Sequence, residues 1–187
     1  MEKIYETAYA KINLGLDVLG KRSDGYHEVR MVMQSVGLSD AVEIEEGEGL
    51  VVETDHSGLA GGPDNLAWKA AELLARCCGK IPNVHIRLNK KIFLAAGLAG
   101  GSSDAAAVMR GLSRLWQLDL TAPELEKLAA ELGSDIPFCI TGGTALAEGR
   151  GEILTELPEA PELLLVLAKP KLEVATGWVY GNFRQQK

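Results

Sequence analysis

Apolar and polar residues alternate along the first part of the chain, and the alternation predicts a β-strand. From residue 10 onward, every second position is apolar: Ile12, Leu14, Leu16 and Val18. Lys11 and Asn13 fall between these positions. Successive side chains of a strand point to opposite faces, so we expect a half-buried strand from which Lys11 and Asn13 project together.

Further strands and one loop follow from the same kind of pattern. Residues 84–88 alternate, and residues 43–55 indicate short strands separated by glycines. Residues 144–147 and 163–167 are apolar runs of the length that buried core strands have. Residues 20–27 are rich in glycine and charge and are expected to form a loop.

Helical spacing of apolar residues appears in three segments. They cover residues 66–77, 105–116 and 123–132, and each has one apolar face. Asp64 is a suitable cap for the first helix, and Gly133 is a suitable end for the third. We expect these helices to pack on the predicted strands.

Composition excludes several classes of function. The chain has 187 residues, of which 47% are apolar, and its 26 acidic residues outnumber 19 basic ones. It therefore has no overall basic field of the kind that binds nucleic acid or anionic membranes, and a small-molecule ligand is expected. No apolar run approaches the ~18 residues of a membrane span. Three cysteines, two of them adjacent, indicate neither a disulfide framework nor a metal site, and favour a reducing, cytoplasmic environment.

A glycine-rich segment, residues 95–107, carries the clearest chemical signal. Gly97, Gly100 and Gly101 precede an expected helix that begins with Ser102 and Ser103. Glycine allows the backbone to approach a ligand closely, and a helix N-terminus attracts phosphate. The alternative is a glycine-bearing connection capped by one of the serines. The segment is neither a P-loop nor a dinucleotide-binding fingerprint, since both spacings are absent.

Four segments together resemble the GHMP kinase family. They are residues 97–106, 8–14, 24–28 and 133–138. The last three are most similar to the branch of the family that phosphorylates 4-diphosphocytidyl-2-C-methyl-D-erythritol. The resemblance implies an α+β fold with a mixed, largely antiparallel sheet and helices packed mainly on one side. It also implies ATP and Mg²⁺ as cofactors and transfer of a phosphoryl group to the 2-hydroxyl of that substrate.

The same resemblance implies two catalytic residues, Asp135 and Lys11. Asp135 would act as the general base on the substrate hydroxyl, and Lys11 would orient the pair and steady charge on the transferred group. One carboxylate and one ammonium, with Mg²⁺, are sufficient for phosphoryl transfer. From the residues alone, Asp135 is a helix cap before Ile136 and Pro137, and Lys11 is a solvated lysine on a strand.

Ligand-binding residues also follow from the resemblance. The substrate-binding set is Asn13, Tyr26, His27 and Tyr180, with aromatic rings suited to a cytosine, although Tyr180 could equally serve packing. The nucleotide-binding set is Asn65, Lys90, Gly97, Gly100, Gly101, Ser102 and Ser103. No protein residue is assigned as a metal ligand. Phe93 stands where the family usually has proline, which predicts a less rigid entry to the glycine-rich segment.

The resemblance covers residues 8 to about 180 and corresponds to the N-terminal two-thirds of such an enzyme. We expect a nucleotide-binding and catalytic domain over residues 1–168 and the beginning of a second domain over residues 169–187. We further expect an exposed apolar patch around Trp178 and little kinase activity from the fragment alone. Another GHMP kinase, acting on homoserine or a mevalonate, and a non-catalytic nucleotide-binding module stay open as alternatives, and a homodimer is one option for the assembly.

Overall fold

The computed structural model describes residues 3–171 and 176–183. Its strands are β1 (Lys3–Lys21), β2 (His27–Glu46), β3 (Leu50–Thr54), β4 (Val84–Asn89), β5 (Thr144–Glu148) and β6 (Ile153–Glu156). Its helices are α1 (Leu66–Cys78), α2 (Gly100–Leu115), α3 (Ala122–Ala129), α4 (Ile136–Thr141) and α5 (Thr176–Asn182).

One sheet organises the chain around the long strand β2. β1 pairs with one edge of β2 along its whole length, in antiparallel register from Lys3 opposite Glu45 to Lys21 opposite His27. β4 and β5 share the other edge of β2, and both are antiparallel to it. β3 joins β4 in parallel and β6 joins β5 in antiparallel orientation. The expectation of a mixed, largely antiparallel sheet is therefore confirmed.

Helices α1 and α2 pack together against the sheet and form the main core with it. α2 lies very close to the strands at Gly111, where a Cβ would stand 2.5 Å from Cδ1 of Ile44. The opposite face of the sheet carries ion pairs among Lys3, Glu43 and Arg87 that face solvent. This is expected for a sheet that helices cover mainly on one side. None of the described helices combines the length and apolar character that a membrane crossing requires.

Two strand predictions fail because local geometry overrides the apolar pattern. β1 has register shifts between Asn13 and Gly15 and again between Val18 and Gly20, so its alternation does not continue. Leu14 is consequently 46% exposed although the pattern assigned it to the core. Residues 163–167 form no strand, and Leu164 is 98% exposed, because no neighbouring strand among the described residues pairs with them.

The helix ends differ from the predicted ones in small but informative ways. Asn65, and not Asp64, caps α1, because the Asn65 side chain accepts a hydrogen bond from the backbone N–H of Ala67 at 2.9 Å. α3 ends at Ala129, and a turn leads from there to Gly133. The expected helix after β4 is present as α2.

Candidate active site

Lys11 lies inside the protein at a point where β2 bulges opposite β1. The register jumps from Tyr9 opposite Ser39 to Lys11 opposite Ser35, so that Ala10 and Lys11 are both buried. The Lys11 side chain is only 6% exposed. The solvated lysine that the strand pattern alone indicated is therefore the wrong interpretation. The same bulge leaves the Lys11 backbone N–H free to donate to the carbonyl of Leu98, at 3.1 Å.

The Lys11 ammonium lies close to the carboxylate of Asp135 at the edge of the core. Its Nζ lies 3.5 Å from Oδ2 of Asp135 and 3.4 Å from Oδ1 of Asn13. Asp135 occupies the position before α4, yet its side chain makes no capping hydrogen bond to that helix. The Asp135 side chain is 35% exposed. The carboxylate is thus available to a ligand, and the interpretation of Asp135 as a cap is wrong.

The glycine-rich segment adopts the backbone form that anion sites use. Ala95, Gly97 and Ala99 all have positive φ, at 50°, 71° and 57°, and alternate with residues that do not. Backbone N–H groups that alternate in this way form a concave nest for an anion. Among the residues that the structure describes, no side chain caps the N-terminus of α2 after Ala99, so that helix end is open to a ligand.

Helix α2 begins earlier than the sequence indicated, and this changes the roles of its glycines and serines. Gly100 and Gly101 are the first residues of α2, so only Gly97 lies in the loop before it. Ser102 is partly exposed in the first turn. Ser103 is 1% exposed, and its hydroxyl donates to the backbone carbonyl of Tyr9. The prediction that the Ser103 hydroxyl binds the cofactor is therefore not supported, because the fold already uses it.

Asn65 lies beside this helix end but its amide is already satisfied. Oδ1 accepts from Ala67 at 2.9 Å, and Nδ2 donates to the carbonyl of Ala60 at 2.8 Å. The following residue, Leu66, would stand 3.5 Å from a Cβ at Gly101. The predicted contact of the Asn65 side chain with the nucleotide is not supported, although Asn65 does lie at the edge of the predicted pocket.

Lys90 is also placed differently from both of its interpretations. Its side chain is 1% exposed, and Nζ contacts Oδ2 of Asp40 and Oδ2 of Asp104. An ammonium enclosed between two carboxylates is neither solvated nor free for a ligand. Burial raises the pKa of the Asp104 carboxyl to about 7, against the opposing effect of Lys90. The Lys90 ammonium thus lies beneath the glycine-rich segment, 3.6 Å from a Cβ at Gly100, with its described contacts inside the protein.

The predicted aromatic residues form a stack near the Lys11 and Asp135 pair. The rings of His27 and Tyr180 are stacked at 5.4 Å between centroids with an interplanar angle of 26°, and Phe183 meets His27 edge-on at 6.3 Å. Burial raises the pKa of the Tyr180 hydroxyl, and the nearby Asp135 carboxylate adds to the effect. Tyr180 is thus close enough to Asp135 for the two groups to interact.

Tyr26 and Asn13 occupy more exposed positions around this stack. Tyr26 is 54% exposed, and the Arg150 guanidinium lies over its ring at 4.9 Å from the centroid. Asp24 fixes the turn before it by accepting a hydrogen bond from the Tyr26 backbone N–H at 3.1 Å. Arg150 was missed by sequence reasoning, since the loop between β5 and β6 gave no indication that it reaches Tyr26.

Asp40 and Cys139 are two further residues that sequence reasoning missed. Asp40 shares an inward strand face with Val42 and Ile44, and a lone acidic residue in that pattern was the available signal. Cys139 lies in α4, and its Sγ lies 3.4 Å from Oγ of Ser103, which can accept from the thiol because its own proton is donated to Tyr9. Burial raises the pKa of the Cys139 thiol to about 11, so it stays protonated and unreactive at neutral pH. No cluster of three or more metal-ligating side chains occurs among the described residues.

Comparison with known proteins gives a consistent result. Residues 65–143 match the family described as the GHMP kinases N terminal domain. A 4-diphosphocytidyl-2-C-methyl-D-erythritol kinase from Acetivibrio thermocellus is 50% identical over 185 residues, which cover 98% of this chain and 65% of that protein. A crystal structure of 4-(cytidine 5'-diphospho)-2C-methyl-D-erythritol kinase matches with a TM-score of 0.78 at 36% identity, over 97% of this chain and 65% of its own.

A more distant structure marks the limit of the comparison. A crystal structure of mevalonate kinase has a TM-score of 0.63 at 14% identity, over 83% of this chain and 56% of its own, and shows a shared fold alone. The chain spans less than two thirds of the length of the curated relatives that it matches. Residues 65–143 therefore carry a GHMP kinase N-terminal domain, and nearly the whole chain is similar to the N-terminal part of 4-diphosphocytidyl-2-C-methyl-D-erythritol kinases.

Proposed function

We propose that this chain forms the nucleotide-binding and catalytic part of a 4-diphosphocytidyl-2-C-methyl-D-erythritol kinase, which transfers a phosphoryl group from ATP to the 2-hydroxyl of its substrate. One observation supports the proposal above all others. The buried Lys11 is bonded through its backbone to the glycine-rich segment at Leu98 and through its side chain to Asp135. Lys11 thereby contacts both the proposed phosphate site and a carboxylate that can accept a proton.

The two charged residues have separable tasks in this reaction. Asp135 takes the proton of the attacking hydroxyl, since its carboxylate is 35% exposed and is not used by α4. Lys11 holds the Asp135 carboxylate in position, and its ammonium stabilises negative charge on the transferred phosphoryl group. Asn13 holds the ammonium from the other side at 3.4 Å. The result is positioning plus charge stabilisation, which is what phosphoryl transfer requires.

The residues around α2 fit the phosphates of ATP. The uncapped helix end after Ala99 offers backbone N–H donors, and the open space around Gly97 would be reduced by any side chain. ATP supplies the phosphoryl group, and Mg²⁺ neutralises its phosphate charge. Mg²⁺ commonly keeps waters and binds substrate phosphates with one or two protein oxygens. Ser102, which is partly exposed in the first turn, is the hydroxyl available for that purpose.

The aromatic stack fits the cytidine end of the proposed substrate. The two rings stack on each other at 5.4 Å, so a cytosine that parts them would take over this contact on each of its faces, and His27 also offers ring nitrogens for hydrogen bonds. His27, Tyr180 and Asn13 then place the erythritol end of the substrate beside Asp135. Tyr26 flanks this set with its ring under Arg150. A mevalonate or homoserine has no ring to occupy the stack.

The remaining elements of the proposal concern domain division and location. We place the end of the catalytic domain near residue 168 and the start of a second unit at residue 169, since residues 157–170 contain neither helix nor strand. The cysteines Cys77, Cys78 and Cys139 are all free thiols, which fits a reducing, cytoplasmic protein. The proposal leaves a homodimer as one option for the assembly.

A chimera tests the proposed reaction. This chain replaces the aligned part of the Acetivibrio thermocellus relative, and ADP release is measured with 4-diphosphocytidyl-2-C-methyl-D-erythritol, mevalonate and homoserine in turn. We expect turnover with the cytidine-linked alcohol alone. Turnover with mevalonate or homoserine instead would contradict the proposed substrate. ATP binding by the 187-residue chain without any turnover by the chimera would favour a nucleotide-binding module.

A further inference from the structure

Three charged side chains lie together beneath the glycine-rich segment and have no part in the proposed chemistry. They come from three places in the fold: Asp40 from β2, Lys90 from the position directly after β4, and Asp104 from α2. Their side chains are 0%, 1% and 1% exposed. The Lys90 ammonium contacts one oxygen of each carboxylate. We call this set the buried triad.

Asp40 ties the buried triad to the backbone that leads into the glycine-rich segment. Its Oδ2 contacts Lys90, and its Oδ1 accepts hydrogen bonds from the backbone N–H groups of Lys91 and Ile92, the latter at 2.8 Å. Hydrogen bonds to an ionised carboxylate are among the strongest in proteins. Both oxygens of Asp40 are therefore used, and both hold the same short stretch of chain.

The first residue of α2 rests directly on this stretch. A Cβ at Gly100 would lie 3.0 Å from Cγ2 of Ile92 and 3.6 Å from Nζ of Lys90. Ile92 also packs with Ala10 and Leu98 in a small core cluster. Lys90 and Ile92 thus fix the position of the start of α2 relative to the sheet. Leu98, which packs on Ile92, accepts the hydrogen bond from the Lys11 backbone N–H and so connects this position to Lys11.

The two carboxylates of the buried triad are not equivalent. Two carboxylates face one ammonium, and Oδ1 of Asp104 is buried without a hydrogen-bond partner among the described residues. The Asp104 side chain contacts Lys90 and is close enough to Asp40 for the two carboxyls to interact, but it makes no hydrogen bond to the backbone of residues 90–92. An amide at position 104 would therefore retain most of the arrangement. An amide at position 40 would turn an N–H donor toward either Lys90 or the two backbone donors, and one of these contacts would be lost.

We propose that Asp40 is a positioning residue for nucleotide binding: through Lys90 and the backbone of Lys91 and Ile92 it holds the glycine-rich segment and the start of α2 in the form that accepts phosphate. This inference rests on the proposed function, because it takes the ligand of that segment to be ATP. Asp40 does not contact the ligand. Its effect reaches the ligand through the backbone that it anchors.

Four variants of the 187-residue chain test the inference: Asp40→Asn, Asp40→Glu, Asp104→Asn and the control Glu43→Gln. Glu43 is also a β2 carboxylate in ion pairs, with Lys3 and Arg87, but it lies away from the glycine-rich segment. Hydrogen–deuterium exchange is measured for peptides covering residues 91–103. The Kd for ATP is measured by calorimetry, and thermal unfolding is followed for every variant.

Asp40→Asn is expected to raise exchange across residues 91–103 and to weaken ATP binding by about tenfold or more, as expected for the loss of a hydrogen bond to a charged group. Asp40→Glu keeps the charge but moves the carboxylate by one methylene, so it should fold and show the same two changes to a smaller degree. Asp104→Asn should change the Kd less than Asp40→Asn does, and Glu43→Gln should change neither quantity.

The two readouts separate the inference from the proposed function. Unchanged exchange in a folded Asp40→Glu or Asp40→Asn variant would overturn the anchoring role, whatever the chain binds. Raised exchange with an unchanged Kd for ATP would overturn the role in nucleotide binding. A parent chain that binds no ATP would contradict the proposed function and the nucleotide role together, while the exchange data would still decide whether Asp40 anchors the segment.

Discussion

Two buried lysines flank the glycine-rich segment, and their surroundings differ in one decisive respect. The Lys11 side chain is 6% exposed and faces Asp135, which is 35% exposed. The Lys90 side chain is 1% exposed and lies between two carboxylates that are also almost fully buried. A ligand can therefore reach the Lys11 ammonium from the side of its partly exposed partner. The Lys90 ammonium, in contrast, lies between two buried carboxylates.

The difference shows that a buried charge alone does not identify an active site. The ammonium of Lys11 makes two long contacts, at 3.4 and 3.5 Å, and can approach a developing negative charge. The ammonium of Lys90 already has two carboxylate partners, so its function is to join β2, β4 and α2. A partly exposed partner with unused hydrogen-bonding capacity distinguishes Lys11 and Asp135, the pair that we propose is catalytic, from Lys90, whose two partners are buried.

The largest expected effect separates Asp135 as a base from Asp135 as a cap. In the chimera, Asp135→Asn should lower kcat by about a thousandfold, within the range for losing a general base in a charge-stabilised site. The folding midpoint should stay nearly unchanged, because Asp135 makes no capping hydrogen bond. A loss of about 1 kcal/mol in stability with activity retained is the outcome expected for a cap. Thermal unfolding and ADP release measure the two quantities.

The second prediction compares the lysines directly by their effect on stability. Lys90→Met leaves two carboxylates without a cation in the core and should cost about 3 kcal/mol or more in the free energy of unfolding. Lys11→Met leaves a carboxylate that is still partly hydrated and should cost less than about 1 kcal/mol. Urea unfolding of both variants measures the difference. Equal losses of stability would contradict the distinction between Lys11, which has a partly exposed partner, and Lys90, which has two buried ones.

Much of the architecture could be predicted because it follows from repeating patterns. The spacing of α1 and the alternation of β4 lead directly to the observed elements, since their buried faces are continuous. The burial of Lys11 could not be predicted, because a bulge in β2 opposite Tyr9 and Lys11 depends on the pairing partner and not on the local pattern. Asp135 is similar: residue type and position before α4 indicate a cap, and only the nearby ammonium shows another use.

The remaining errors have tertiary causes as well. Lys90 was expected at a solvated strand end or at a nucleotide because Asp40 and Asp104 are distant in sequence. The glycine-rich segment was found in its expected place, but its split between loop and helix depends on Ala99 adopting positive φ, which is uncommon for alanine. Such features depend on contacts that no single stretch of sequence contains.

The third prediction sharpens the contrast through pH. The pKa of the Asp104 carboxyl is about 7 in the folded protein, while an unfolded aspartate titrates near ~4. Because the folded state binds the extra proton, this group contributes stability that is present below about pH 4 and is lost as the pH rises through about 7. The stability of the parent chain relative to Asp104→Asn should therefore fall over that window. Denaturation at several pH values measures it, and a difference independent of pH would contradict the assignment.

The smallest expected effect concerns the aromatic stack. Tyr180→Ala removes one of the two stacked rings, and loss of a base–aromatic contact typically costs about 1–3 kcal/mol. We expect the KM for the cytidine-linked substrate to rise about tenfold in the chimera, with the KM for ATP unchanged. Tyr5→Ala, at a tyrosine that is 66% exposed on β1, is the matched control. A parallel rise in both KM values for Tyr180→Ala would indicate packing alone.

The central proposal is that Lys11 and Asp135 together carry out phosphoryl transfer. It is tested most directly by single-turnover transfer of labelled phosphate from ATP to 4-diphosphocytidyl-2-C-methyl-D-erythritol, in the chimera and its Lys11→Met variant, at saturating ATP. We expect transfer to the 2-hydroxyl in the parent and a loss of about a thousandfold in the variant, with the Kd for ATP nearly unchanged. Undiminished transfer by a correctly folded Lys11→Met variant would contradict it.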